Sequence, residues 1–186
     1  VCRHCTLCSV ISPQNMLKIF RMEEHISSEY VATLSRSAMA FARMTPGDDL
    51  YHEMAVQVQA LIGNAIVVVS SFDPATKIIE QRAMVGVPKA LSDAADRLRV
   101  RISSFRTVAN PEAVEQITSG RLLKIEEGIY ELLLRKVPRA ITRSLERIAG
   151  VRSIYGMGCV AEEECFGGIT FCLRGNSVLP PPDVLE

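Results

Sequence analysis

Six cysteines fall into two groups, and each group points to a different chemistry. Cys2, Cys5 and Cys8 are each separated by two residues, with His4 between the first two. A tight turn across such a spacing brings two thiolates onto one metal ion. A tetrahedral zinc site needs a fourth ligand, and His4 adjoins Cys5 directly. An iron–sulfur run of this kind continues to a further cysteine. Cys2, Cys5 and Cys8 are therefore candidate metal ligands, and otherwise the remnant of a linker or upstream module.

Cys159, Cys165 and Cys172 sit on two β-prone runs that flank Glu162–Glu163–Glu164. A two-residue turn at Glu162–Glu163 puts Val160 opposite Cys165 and Cys159 opposite Phe166. Side chains alternate along a strand, so Cys159 and Cys165 then point to opposite faces. One extra turn residue would bring them together. Cys165 and Cys172 differ in parity and are expected on opposite faces as well. Given a nearby base or helix N-terminus, such thiols serve as redox sensors or as an axial thiolate to haem. Without one they are small buried apolar residues.

A third group is cationic. Arg97, Arg99, Arg101 and Arg106 surround Ser103 and Ser104, a set able to hold an anion. Glu126, Glu127 and Tyr130 open the next helix and are expected to face the same cavity. The alternative for a charge run of this kind is a solvated face. The histidines are His4, His25 and His52, so the middle of the chain holds no base for a hydrolytic triad. The serines lack a G-x-S-x-G context. No G-x-x-x-x-G-K-[ST] phosphate cradle occurs.

These residues must be positioned by a chain of 186 residues, 48% of them hydrophobic, which is one domain's worth of core with a tail. Lys and Arg number 21 against 21 Asp and Glu, which argues against a nucleic-acid binder relying on a basic face. No apolar run approaches the roughly 18 residues of a membrane span, and no signal peptide is visible. Cysteines too sparse for a disulfide scaffold fit a reducing, cytoplasmic setting. The chain reads as a fragment of a longer protein. Residues 1–14 form a Cys-rich linker or remnant, and 177–186 the start of an exit helix.

Residues 15–45 are expected as a long amphipathic helix, its apolar positions (Met16, Ile19, Phe20, Ile26, Tyr30, Leu34, Met39, Phe41) three or four apart. Such a helix pairs with a copy of itself or packs on its own sheet. Asp48 is placed to cap the next helix, which Gly63–Asn64 ends. Ala65 to Phe72 and Lys77 to Val85 read as two antiparallel strands around the Asp73–Thr76 turn. Helix, short strand (Val100–Phe105) and an Asn110-capped helix follow, then an extended piece at Leu122–Ile125. Ile129–Lys136 and Pro138–Ala149 read as helical, and Val151–Asn176 as a hairpin apolar on both faces. This α+β order suits a central antiparallel sheet with terminal helices on one face. The middle segments cover the other and leave a ligand pocket beneath them.

Over roughly Asp48 to Asn176 this pattern resembles a GAF domain, a small-molecule sensor module. The resemblance rests on the strand pair at Ala65–Val85, the helix Pro138–Ala149 before Gly150, and Glu164–Cys165–Phe166–Gly167–Gly168–Ile169 in the last hairpin. The segment ISPQNMLKIFRMEEHISSEY is similar to linkers that join sensor modules. The resemblance implies a six-stranded antiparallel sheet with helices on both faces, spanning 46–176. It implies a sensory, non-catalytic role in a larger signalling protein such as a histidine kinase. The chain would form a homodimer through its terminal helices and relay a ligand or redox event. No cofactor is required, and haem or a small molecule is what such a pocket would take. Arg99, Arg101, Ser103, Glu127 and Tyr130 are the expected ligand contacts. The Asn-Lys-Phe-Asp-Glu set of cyclic-nucleotide-binding members is not found here. Met84 to Arg147 holds no cysteine to attach a bilin. The alternatives are an enzyme resembling methionine-sulfoxide reductases that uses the hairpin cysteines, and a haem-binding redox sensor.

Overall fold

The computed structural model describes residues 31–100, 105–177 and 179. The chain divides into two units at Ala42/Arg43. Of the first unit, residues 31–42 are helical. Cys2, Cys5, Cys8, and the expected helix before residue 31, lie outside the described residues.

The second unit is built on one sheet. Its helices are α1 (Leu50–Ile62), α2 (Lys89–Arg97), α3 (Pro111–Thr118), α4 (Ile129–Leu132) and α5 (Arg139–Ala149). Its strands are β1 (Ala65–Asp73), β2 (Ile78–Val85), β3 (Arg106–Val108), β4 (Leu123–Lys124), β5 (Val151–Ala161) and β6 (Glu164–Arg174). They form a six-stranded antiparallel sheet in the order β3-β2-β1-β6-β5-β4. The early and late ribbons join through β1 and β6, where Val69 pairs with Ile169 and Val67 with Phe171. Both central strands are apolar on both faces, which a sheet tolerates only where helices cover each side.

Each face has its own core. On one, Ala55 and Ile62 of α1 pack over Val67, Val69, Ile169, Phe171 and Leu173. On the other, Leu91 and Ala95 of α2 and Leu145 and Ala149 of α5 pack over Ile66, Ile154 and Cys172. Phe171, Leu145, Ile154, Val67 and Val69 are each at most 2% exposed. Among the described residues no helix is long and apolar enough to cross a membrane.

Several local expectations are corrected. The cap of α1 is Asp49, whose side chain accepts from the His52 N–H at 3.0 Å. Asp48 instead closes the preceding turn onto Thr45. Of the strand expected at Val100–Phe105, residues 101–104 lie outside the described residues; the Phe105 carbonyl accepts from the Gln81 N–H at 2.8 Å, and β3 begins at Arg106. The helix expected to run to Lys136 stops at Leu132, because Leu134 and Arg135 adopt left-handed φ of 49° and 60°.

The hairpin register also differs. Glu162 and Glu163 do form the turn, with φ of 51° and 68°, and Val160 does pair with Cys165. Cys159, however, pairs with Gly167, so Phe166 is an extra residue bulged out of β6. A bulge reverses the alternation beyond it. Cys165 and Cys172 therefore share a face, contrary to the parity count, while Cys159 lies on the opposite one with the α1 core. Arg82 in β2 is a second such residue, since Val69 pairs with Ala83 and Ser70 with Gln81.

Asn110 caps α3 by accepting from the Ala113 N–H at 2.8 Å, with Pro111 in the first turn. Asn110→Ala should lower stability by about 1 kcal/mol, read as a shift in the urea midpoint at unchanged slope.

Candidate functional site

The face of the sheet opposite α1 carries a run of small side chains. Gly156 and Gly158 of β5 lie beside Thr170 and Gly168 of β6, which lie beside Val68 and Ser70 of β1. A strand glycine marks a place where another chain segment comes close. Here that segment is α3. A Cβ at Gly158 would sit 1.6 Å from the Ile117 carbonyl oxygen, and one at Gly168 would sit 3.1 Å from the Ile117 side chain. Only glycine lets the end of α3 settle on the hairpin. Cys165 Sγ lies at the same place, 3.5 Å from the Ile117 carbonyl oxygen.

With α3 seated there, α3, α4 and the β4 segment roof a cavity of about 200 Å³ over the sheet. Its floor is formed by Ile66, Val68, Ser70, Gly156, Gly168, Thr170 and Cys172, and its roof by Ile117, Ile125, Ile129 and Leu132–Leu134. Three consecutive leucines reach one space only because the helix ends among them. The polar lining is sparse. Ser70 donates to the Gly168 carbonyl at 3.2 Å. Glu131 accepts from the Gln116 amide and from the Glu127 backbone N–H, at 3.4 and 3.0 Å. The Thr170 hydroxyl and the Gln81 amide also line the cavity.

Of the residues singled out from sequence, Cys172 lies in the cavity floor and the described members of the expected ligand set lie outside the lining. Arg101 and Ser103 are outside the described residues, and Arg99 is exposed just past α2 with a left-handed φ of 56°. Neither Arg99, Glu127 nor Tyr130 lines the cavity. Glu127 and Tyr130 meet instead at a separate ionic cluster. Arg135 bonds both Glu127 and Glu112, and Arg139 bonds Glu127 while stacking 4.6 Å over the Tyr130 ring. The hydrogen bond from Arg135, with the Arg139 charge beside it, holds the Glu127 carboxyl below its ordinary range. This cluster ties α3, α4 and α5 together. Ile129 N–H donates to Glu146 at 2.6 Å and fastens α4 to α5 from within.

The hairpin cysteines are dispersed. Cys172 is buried beneath α2 and α5, where burial, with the Glu146 carboxylate beside it, pushes its thiol up to about 12. Burial, with Cys165 adding to it, also raises Cys159. Both are therefore neutral thiols at pH 7, the opposite of an activated nucleophile. A thiol held neutral in the fold stabilises it only until the unfolded thiol ionises. Stability should therefore be fully present below pH 9 and fall as pH rises from there toward 12, with Cys172→Ala flattening that decline. Urea titrations across this range measure it.

Sequence reasoning missed Thr170, Gln81 and the glycine floor. The signal was present in the glycines at 156, 158, 167 and 168, inside runs otherwise made for strands.

This arrangement of sheet, α1 on one face and short middle elements on the other, is the fold of a GAF domain. The similar solved structures share that fold at low identity. One is the chromophore-binding domain of bacteriophytochrome RpBphP3 from R. palustris, 12% identical, TM-score 0.57, covering 87% of this chain and 58% of that one. A second is the phycoerythrobilin-bound GAF domain from a cyanobacterial phytochrome, 14% identical, TM-score 0.51, with 84% and 86% covered. A third is the GAF domain of an Acinetobacter phosphoenolpyruvate-protein phosphotransferase, 12% identical, TM-score 0.50, with 81% and 80% covered. No family model and no curated protein sequence matches the chain.

Proposed function

We propose that this chain is a sensory or regulatory domain of a signal-transduction protein. A small ligand beneath α3 and α4 shifts those elements against the sheet, and the change is relayed through the terminal helices of a homodimer. The observation that carries this reading is the cavity of about 200 Å³ beneath the middle segments of a GAF fold. Solved neighbours of that fold include domains described as chromophore-binding or bilin-bound. The cavity is smaller than the roughly 300–1,000 Å³ of most cofactor sites, which favours a small ligand over haem.

The dimer is supported by the helix at 31–42. Val31, Leu34 and Phe41 are exposed there, and with Ala38 they follow the 3-4-3 spacing of a two-helix seam. A ligand acts on such a pair only through its different affinity for two arrangements. A cytoplasmic setting and a kinase output belong to this reading. Sedimentation equilibrium of the 186-residue chain should give a dimer, and Leu34→Glu with Phe41→Glu should give a folded monomer. A monomeric parent chain would remove the relay.

A further inference from the structure

The cavity's chemistry narrows what it can hold. We infer that it takes a small, uncharged, largely apolar molecule of about one or two rings, carrying a single hydrogen-bonding group met by the Thr170 hydroxyl. The inference rests on the sensory reading above and goes beyond it by fixing the ligand's charge, size and anchor.

Charge is decided by the lining. Among the described residues, no Arg, Lys or His reaches the cavity, so an anion entering it would lose its water with no cation to replace it. Such a loss costs several kcal/mol, enough to offset most of what apolar contact with a small ligand returns. Arg135 and Arg139 are held by Glu127, and neither lines the cavity. The one carboxylate in the wall, Glu131, already accepts from Gln116 and from the Glu127 N–H, so it is committed to holding α3 against α4. That disfavours a cationic ligand too.

Size follows from volume. A buried apolar cavity of about 150 Å³ accommodates benzene. The 200 Å³ here suits a fused pair of rings or a short branched chain.

The anchor follows from hydrogen bonding. Ser70 is satisfied by Gly168. Among the described residues the Thr170 hydroxyl makes no hydrogen bond, and Thr170 lines the cavity. Its neighbour across the ladder is Gly156, whose missing side chain leaves the space beside that hydroxyl free: a Cβ there would stand 3.7 Å from Thr170 Oγ1. The Gln81 amide is a further polar group in the lining. A polar group in an apolar wall is worth most to a ligand that pairs with it.

The chain has no tryptophan, so indole fluorescence reports binding directly. The 186-residue chain should be titrated with indole, with indole-3-acetate and tryptamine as its charged relatives, and with indene, which lacks the N–H. Saturable one-site binding of indole is expected, at least tenfold tighter than either charged probe. Thr170→Val should weaken indole about three- to tenfold and leave indene unchanged. Val68→Phe, which fills the floor, should abolish both, with circular dichroism confirming its fold. Three results would overturn the inference. Indole-3-acetate or tryptamine binding as tightly as indole refutes the charge class while a ligand-sensing cavity stands. Indole binding unaltered by Val68→Phe puts the site elsewhere. No saturable binding by any probe removes both the ligand class and the ligand arm of the proposed function, whereas the dimer measurement tests the relay by itself.

Discussion

Gly158→Ala should cost about 3 kcal/mol or more of stability and dislodge the end of α3. The added Cβ would lie 1.6 Å from the Ile117 carbonyl oxygen and 2.7 Å from its carbon. These are backbone atoms, so no rotamer change relieves the clash. Overpacking with flexible neighbours costs roughly 1–3 kcal/mol, and a backbone collision falls at or above the top of that range. Gly156→Ala is the control in the same strand and on the same face. Its Cβ would meet Ile125, Thr170 and the Ile169 carbonyl at ordinary contact distances of 3.5–3.9 Å. It should stay within about 0.5 kcal/mol of the parent. Urea titrations of both variants, followed by circular dichroism, measure the difference. Equal effects would mean that α3 does not rest on Gly158. The same experiment touches function, because Ile117 is part of the roof of the cavity.

Phe171→Ala should destabilise by about 3–5 kcal/mol, while Phe166→Ala, five residues earlier in the same strand, should change stability by less than about 0.5 kcal/mol. Phe171 is 1% exposed beneath α1, stacked on Tyr155 with ring centroids 5.9 Å apart. Its removal leaves a void between sheet and helix that the paired strands β1 and β5 cannot collapse to fill. Phe166 is the bulged residue and is 57% exposed. For a chain of this length the first loss corresponds to a melting-temperature drop of roughly 6–20 °C. A large effect at Phe166 instead would show that the bulge is misplaced and that β6 is shifted by one residue.

Much of the sheet is legible in sequence because burial on both faces leaves a plain mark. Ala65–Val69 is an unbroken apolar run and Ile169–Leu173 is interrupted only by Thr170, and the two turn out to be the paired centre of the sheet. Positions beyond a bulge are not legible that way. Parity counting across Phe166 sets Cys165 and Cys172 on opposite faces, and one unpaired residue reverses the outcome. Nothing in a run of strand-forming residues announces which of them will bulge.

The cavity was legible in location and not in lining. Segments between the ribbons had to cover the exposed sheet face, so a space beneath them follows from topology alone. Its lining was sought among Arg99, Arg101, Ser103, Glu127 and Tyr130, since charge is the usual sign of a binding site. The fold sends Glu127 outward to Arg135 and Arg139 and turns Leu132–Leu134 inward. The left-handed residues Leu134 and Arg135 cause that turn, and neither is a type that advertises it. The anchor Thr170 reads in sequence as an ordinary β-branched strand residue.

The account depends on α3 lying directly on the glycine floor and so roofing the cavity. Isoleucine-methyl NOE spectroscopy tests this, because the Ile117 δ1 methyl lies 3.1 Å from where a Cβ on Gly168 would stand. A strong cross-peak from the Ile117 methyl to the Gly168 α-protons is expected. An Ile117 methyl with no contact to β5 or β6, together with Gly168 showing contacts to Ile62 of α1, would contradict the account.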